Sequence, residues 1–411
     1  MHLSLIEAQR MNVGIVSTHP SFSGGVSSYT RNLMNSLENE DVNIILYTNH
    51  FEKKGLEKHI ITCWSEGIFY PFQIFKNLLK NKLDLVHIQH EFFLFGGLVS
   101  ALLFPVLLIF CKVLRKPTIV TLHGIIPLSK IDQKFVKENV ISAPPLLLRF
   151  GIKLLTMIIT FLSDAIIVHE NIFAKILIQN YRCSPRKLYI IPHGIEEKKI
   201  RITKTEAKEK LHLFDKVVIF FFGYLAPYKG LKTLVEGFAL KAPKNPDWIL
   251  IIGGGEHPRL KRNISYKRYL TKLKNEASHL TSRIIFTGYI PDEKIPLFFS
   301  AADIIVFPYN LTMSSSGPFA KALTYEKPIL VSNTALFEDI IPFKEVMFIQ
   351  GSPSSFGDKL ELILEDTLLQ NRMIEWAKNV VIKNSWRAVG VTTASVYTQL
   401  IHNFNFSHHN L

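Results

Sequence analysis

Imidazoles and carboxylates recur at one kind of place in this sequence, directly after a short apolar run. H-I-Q-H-E supplies His90 and Glu91, T-L-H-G supplies His123, V-H-E-N supplies His169 and Glu170, and I-P-H-G supplies His193. One such histidine is most often a satisfied polar residue. Four at equivalent places describe a polar ligand site along one edge of one sheet. Zinc is not expected there. The one H-x-x-H pair, His87 and His90, lies on a strand, where residues three apart face opposite sides.

Backbone groups suggest a second chemistry, the binding of an anion. Gly24 and Gly25 precede a helix expected from Val26, so unpaired N–H groups and the helix dipole face the preceding strand end. Neither glycine has a side chain to keep an anion away, although a Gly-Gly pair is by itself a weak signal and a routine glycine turn is the alternative reading. Lys229 and Gly230 lie between a strand and the helix opening at Leu231, where a lysine can neutralise a phosphate; a solvated surface lysine is the alternative. Gly253 and Gly254, with Gly255, require backbone to pass close to a ligand or to another segment. After I-I-V-F-P comes M-S-S-S-G, in which Ser314, Ser315, Ser316 and Gly317 offer hydroxyl and N–H groups at a helix entrance, an anion cradle. No D-x-D joins two strands to hold a metal for a diphosphate. G-x-S-x-G and the phosphate loop G-x-x-x-x-G-K-[ST] are also absent. No metal and no other cofactor is therefore expected.

These residues need parallel strands to bring them together. Apolar runs alternate with longer helical patterns in two series. The first reads V-G-I-V-S, N-I-I-L-Y, L-V-H-I, T-I-V-T-L, A-I-I-V and Y-I-I-P-H-G. The second reads V-V-I-F-F-F-G, W-I-L-I-I-G-G-G, R-I-I-F-T-G, I-I-V-F-P and P-I-L-V-S. A charged stretch, Glu196 to Lys210, separates them. The expected architecture is α/β, with two Rossmann-like domains, 1–195 and 200–375, facing across a cleft. A helical tail, 376–411, is expected to pack back on the first domain. Ligands of such sheets lie at the carboxyl ends of the strands, which places the site in the cleft.

The bulk numbers agree with two enzyme-sized domains. The 411 residues are 47% hydrophobic and 20% charged, enough for sizeable cores. The formal charge of +14 favours anionic partners or a solubilising surface. Nucleic acid is not among the expected partners, because no stripe of basic and aromatic residues occurs. Cys63, Cys111 and Cys183 have no metal-like spacing and read as buried thiols of a reducing compartment. The first residues lack a signal-peptide pattern, and the first clear strand follows Met11. Leu98 to Cys111 and Leu146 to Leu162 are apolar, the first short of the roughly 20 residues of a span and the second interrupted by Arg149 and Lys153. They read as interfacial helices, with Arg115, Lys116, Arg149 and Lys153 meeting lipid headgroups, or as ordinary helices packed on a sheet.

Taken in order, G-G-V-S-S-Y, T-L-H-G, P-H-G-I, F-G-Y-L-A-P-Y-K-G-L, I-G-G-G-E, T-G-Y-I-P, A-D-I-I-V-F-P-Y and K-A-L-T-Y-E-K-P-I-L-V-S resemble the family 4 glycosyltransferases. The likeness runs over roughly residues 11 to 375. That family consists of retaining enzymes of the GT-B fold that use nucleotide-sugar donors. The resemblance implies that Gly24 and Gly25 lie against the donor diphosphate or sugar, and the composition of Ser314–Gly317 suits the same phosphate oxygens. It implies that His123 sits at the reaction centre and that Lys229 binds the diphosphate and stabilises the leaving group. His90, Glu91 and His169 are candidates for the acceptor, and Gly253, Gly254 and Lys321 for the nucleotide region.

Two places depart from the family pattern. Tyr224 occupies the position of an arginine in G-R-x-x-x-x-K-G, and Met313 and Lys321 occupy those of the two glutamates of E-x7-E. A lysine cannot accept hydrogen bonds from ribose hydroxyls as a glutamate does. Losing such a charged hydrogen bond costs about 1.5 to 3 kcal/mol, or roughly one to two orders of magnitude in affinity. The expected function is transfer of a sugar from a nucleotide-sugar to a glycan or lipid-linked acceptor, in cell-surface polysaccharide synthesis. The alternative is a GT-B-fold binding protein with weakened catalysis. The expected location is cytoplasmic, with the inner face of an anionic membrane as the open partner.

Overall fold

The computed structural model describes residues 10–22, 24–50, 59–138, 141, 143–197, 202–280 and 282–409. The first half contains β1 (Met11–Val16), α1 (Gly25–Leu37), β2 (Val42–Asn49), β3 (Ile60–Trp64), α2 (Tyr70–Leu78) and β4 (Leu85–His90). It continues with α3 (Leu98–Leu102), α4 (Phe104–Val113), β5 (Thr118–Leu122), α5 (Gln133–Glu138), α6 (Pro145–Leu162), β6 (Ala165–Val168), α7 (Asn171–Tyr181) and β7 (Leu188–Ile190). The second half runs α8 (Lys204–Lys210), β8 (Val217–Phe222), α9 (Leu231–Lys241), β9 (Trp248–Gly253), α10 (Ile264–Ala277), β10 (Ile284–Gly288), α11 (Ile295–Ala301) and β11 (Ile304–Phe307). Then come α12 (Gly317–Thr324), β12 (Ile329–Ser332), α13 (Ala335–Ile340), β13 (Met347–Phe348), α14 (Pro353–Glu365), α15 (Thr367–Lys383) and α16 (Trp386–His409).

All strands pair in parallel. The orders are β3-β2-β1-β4-β5-β6-β7 in the first sheet and β10-β9-β8-β11-β12-β13 in the second. Strands such as β5 (T-I-V-T-L) and β11 (I-I-V-F) are buried along their whole length because helices cover both faces of each sheet. In each sheet the order reverses at its middle, between β1 and β4 and between β8 and β11. At such a reversal two connections leave in opposite directions and open a crevice at the strand ends.

The architecture is the α/β pair of doubly wound sheets that the two apolar series predict. β3 and β13 add to those series. Both are edge strands, and I-I-T-C-W and M-F carry too little apolar alternation to stand out. Part of the charged stretch is helical. A capping box of Thr203 and Glu206 starts α8, and Lys204 and Lys208 pair with Asp303, tying that helix to the second sheet. Residues 198–201 of this stretch lie outside the described residues.

The chain returns to the first sheet at Ile195 and Asn384. Ile195 N–H donates to the Asn384 carbonyl at 2.8 Å, and α16 then packs along α1. The expected boundary at 376 falls within α15, which packs on α12 of the second sheet. A side chain at Gly390 would come within 2.6 Å of the Ser36 carbonyl, so this glycine permits the close approach of α16 to α1.

Candidate functional site

Histidines from the first sheet gather around the face covered by α1 and α16. His87 and Gln89 alternate on β4 and point to this face, while His90, one residue on, turns to the opposite face against Phe104 of α4. Gln89 Oε1 lies 2.8 Å from His123 Nε2, and Gln89 Nε2 lies 3.1 Å from His87 Nε2. With the Gln89 amide assigned this way, His123 carries its hydrogen on Nε2 and His87 Nε2 accepts. Thr121 Oγ1 also reaches His87 Nε2, at 2.7 Å, which leaves His87 Nδ1 to donate to the Tyr397 hydroxyl at 2.6 Å. A buried polar chain thus runs from α16 to His123.

Rings close the other sides. Tyr29 of α1 packs against His123, His169, His193 and Trp386, with centroids 4.8 to 5.5 Å apart. His169 Nδ1 donates to the Ile191 carbonyl at 2.9 Å, and its Nε2 lies 3.4 Å from His123 Nδ1. Burial lowers all these histidines, His87 and His169 to about 3 and His123 well below its ordinary value, with neighbouring imidazoles adding to the effect. His123 is thus neutral at physiological pH and works by hydrogen bonding instead of charge.

The second sheet contributes a cation. Lys229 ends a tight turn, Pro227–Lys229, between β8 and α9 and is only 7% exposed. Its Nζ lies 3.8 Å from the Tyr309 ring centroid and makes no ion pair among the described residues. Burial alone lowers it to about 7. Gly230 makes the turn possible. It has φ +69°, and a Cβ there would lie 1.6 Å from the Pro308 carbonyl oxygen.

The Met313–Gly317 loop joins the two halves. Ile125 N–H, two residues after His123, donates to the Met313 carbonyl at 2.7 Å, and Ser315 Oγ donates to Glu170 Oε2 at 2.6 Å. Ser316 Oγ caps α12 by accepting from Phe319 N–H at 3.2 Å and lies 2.9 Å from the Tyr309 hydroxyl. Two of the three serine hydroxyls therefore serve the protein itself, while Ser314 is exposed. Lys321 is half-buried on α12.

The glycines divide into two kinds. A Cβ on Gly253 would meet Ile290 and Phe220 at 2.7 Å, and one on Gly254 would meet the Gly223 carbonyl at 1.9 Å, so close packing of protein segments explains both. Gly24 and Gly25 have no such neighbours. A Cβ on Gly24 would find only Ser27 Oγ at 3.9 Å, and one on Gly25 nothing within 4 Å.

The structure brings His123 and His169 together beside the loop after β11, and it places Glu91 at the cleft. Burial raises the Glu91 carboxyl, opposed by the positive charge of Arg259. Arg259, after β9, donates to the Phe92 carbonyl at 3.1 Å across the cleft. His90, an acceptor candidate from sequence, is 2% exposed and packs in the core face. Glu170 enters the site from the strand end that V-H-E-N marks, whereas Gln89, Tyr309, Arg259 and Tyr397 enter unannounced by motif. Period-two spacing of His87 and Gln89 on β4 is the one sequence signal that could have flagged Gln89. Among the described residues no group of three or more His, Cys, Asp or Glu is placed to hold a metal ion. Cys111 and Cys183 are buried, and Cys63 is only half-buried.

Comparison with known proteins adds to this geometry. Residues 23–199 match the profile of Glycosyltransferase Family 4, and residues 203–380 match that of Glycosyl transferases group 1. A D-inositol 3-phosphate glycosyltransferase of Corynebacterium glutamicum is 24% identical over 254 residues, 59% of each chain. The matched stretches span 34% to 59% of the length of this and two further curated relatives. The fold matches a sucrose-phosphate synthase of Thermosynechococcus elongatus with TM-score 0.73 at 18% identity, covering 96% of this chain and 100% of that one. It also matches HepE of Anabaena, solved in complex with UDP, with TM-score 0.71 at 14% identity, covering 95% and 100%.

Proposed function

This chain belongs to the family 4, group 1 glycosyltransferases, and from that premise we propose that it moves a sugar from a nucleotide-sugar donor to a glycan or lipid-linked acceptor with retention of configuration. The observation that carries the reading is Lys229, a buried cation precursor with an aromatic face beneath it and, among the described residues, no protein anion paired with it. Such a group is costly to charge in the fold and becomes favourable when a diphosphate supplies the counter-charge. The open space at Gly24 and Gly25, ahead of α1, suits the same anion from the other side of the cleft.

In the proposed reaction the bond between the sugar anomeric carbon and the diphosphate oxygen breaks. The acceptor oxygen bonds to the same face of that carbon, and its proton passes to the departing phosphate oxygen. Charge builds on the leaving diphosphate, where protonated Lys229 and the α1 N-terminus stabilise it. His123, fixed through Gln89, orients the sugar by a neutral hydrogen bond. Glu91 and His169 are proposed on the acceptor side, Lys321 in the nucleotide region, and no metal is invoked. UDP, bound by HepE, is the first nucleotide to try. A cytoplasmic setting is supported by the three free thiols. We place the acceptor in cell-surface polysaccharide synthesis.

A second reading, a nucleotide-sugar-binding protein without turnover, draws on Lys321 and Tyr224, which cannot supply a carboxylate grip or a guanidinium. Thermal-shift screening against nucleotide sugars, followed by release of free nucleotide from each hit, separates the two. Binding with turnover supports transfer. Binding alone decides for the second reading, and no stabilisation by any nucleotide sugar overturns both.

A further inference from the structure

The first sheet carries α1 and α16 on one face and α2, α4 and α6 on the other. The second group forms a continuous layer. Phe72 and Phe75 of α2 pack on Phe110 of α4 with ring centroids 5.1 and 4.6 Å apart, and α4 in turn packs on α6. The outer side of this layer is apolar and uncovered. Phe150, Leu154 and Phe161 form one outward stripe on α6, 65%, 47% and 78% exposed, continued by Phe72 on α2 and Val113 on α4. Isolated surface leucines need no explanation, but a contiguous stripe over three helices marks a binding surface.

Charge decides what binds it. Residues 67–83, 92–131 and 143–163 of this layer contain no Asp or Glu, yet hold Lys76, Lys80, Arg115, Lys116 and Lys153 among their cations, while Lys112 already pairs with Asp164 just after α6. A second copy would meet the patch through a two-fold axis, setting these cations against themselves. An anionic lipid surface meets both demands, accepting apolar side chains between its headgroups and neutralising the lysines.

α6 is long and apolar enough to cross a membrane by length and composition. Its inner side, however, is committed to the protein through Ile152, Leu155 and Ile159, and Lys187 donates to its last carbonyls. Leaving the fold would expose the sheet, so this helix lies in the plane of the surface.

We propose that the α2–α4–α6 face is a docking surface for an anionic membrane, holding the first domain flat on it with α6 in the headgroup layer. This surface is separate from the donor site, and its test does not depend on the transfer reading. The full chain is mixed with phosphatidylglycerol–phosphatidylcholine vesicles and with pure phosphatidylcholine vesicles, and each mixture is floated through a density gradient. Binding is expected to the anionic vesicles only, weakening as salt is added. Phe150→Glu with Leu154→Glu is expected to reduce the floated fraction roughly tenfold or more, and Lys76→Glu with Lys153→Glu to reduce it independently. Both sites are exposed or half-exposed, and an unchanged urea midpoint checks that each variant keeps its fold. Failure of the wild type to float at low salt overturns the proposal, as does flotation of both variants to the wild-type extent. A wild-type dimer that the Phe150→Glu, Leu154→Glu variant dissociates, without vesicle binding by either, overturns it in favour of a second copy.

Discussion

The Ser315 hydroxyl donates to Glu170 Oε2 at 2.6 Å, linking the loop after β11 to the loop after β6 across the cleft. Burial raises the Glu170 carboxyl from 4.5 to about 8, while the Ser315 hydrogen bond pulls it partly back. The two sheets therefore meet through an acid that is protonated at neutral pH. Nearby, Asp339 of α13 accepts from Ile172 N–H of α7 at 2.9 Å and pairs with Lys175 at 3.5 Å, a second link between the two halves.

This raised carboxyl makes stability pH-dependent. The folded chain keeps the Glu170 proton after the unfolded chain has released it, so the contribution is complete below about pH 4.5 and falls as pH rises toward about 8. Glu170→Gln keeps an acceptor for Ser315 and removes the titration. Urea midpoints should show the variant gaining on the wild type at pH 8 relative to pH 5. An equal difference at both values would refute the assignment.

Lys229 titrates in the opposite sense. Without ligand its ammonium is lowered to about 7, and a bound diphosphate should raise it again. Nucleotide binding then takes up a proton above about pH 7, and affinity should decline as pH rises from there. Calorimetry in buffers of different ionisation enthalpy measures that uptake directly. Lys229→Ala should weaken UDP by roughly 10- to 100-fold, the equivalent of about 1.5 to 3 kcal/mol for a charged hydrogen bond, and should abolish the proton uptake.

His123→Ala should lower sugar-transfer turnover by about two orders of magnitude, the scale of losing a group that positions the reacting sugar, here by accepting a hydrogen bond at Nδ1, while UDP affinity stays unchanged. Gln89→Leu removes the 2.8 Å partner of His123 and should lower turnover with little change in donor KM. Because His123 is neutral throughout, neither variant should move an acidic limb near pH 6.5. Wild-type turnover in His123→Ala would remove it from the reaction centre.

Tyr397→Phe tests the link from the last helix. It leaves His87 Nδ1 buried without its 2.6 Å partner, which should cost about 1 to 3 kcal/mol in denaturant unfolding. A neutral result would mean that water or another group satisfies the ring.

Much of the site can be read locally. Each of Glu91, His123, His169 and Lys229 comes after an apolar run, and a parallel strand delivers whatever follows it to one edge of the sheet. The hydrogen-bond partners are another matter. Gln89 and Tyr397 meet through His87, yet 308 positions separate them in the chain (397 − 89 = 308), and no local pattern spans that distance. Nor could the serine run show that Ser315 binds Glu170 and that Ser316 caps α12.

By itself the sequence determines the alternation of strands and helices, the two halves and the strand-end placement of the polar residues, because these depend on periodicity over a few residues. Strand order depends on which distant faces bury one another, and only the tertiary structure decides it. That order puts β1 beside β4 and β8 beside β11. The loops carrying Gly24 and Glu91, and those carrying Lys229 and Ser315, thereby flank the two reversals where crevices open. It also turns His90 inward and leaves Phe150 and Phe161 facing outward. Burial then completes the chemistry, since removing Lys229, Glu170 and His123 from water changes their charge states, and a linear sequence cannot show which side chains lose their water.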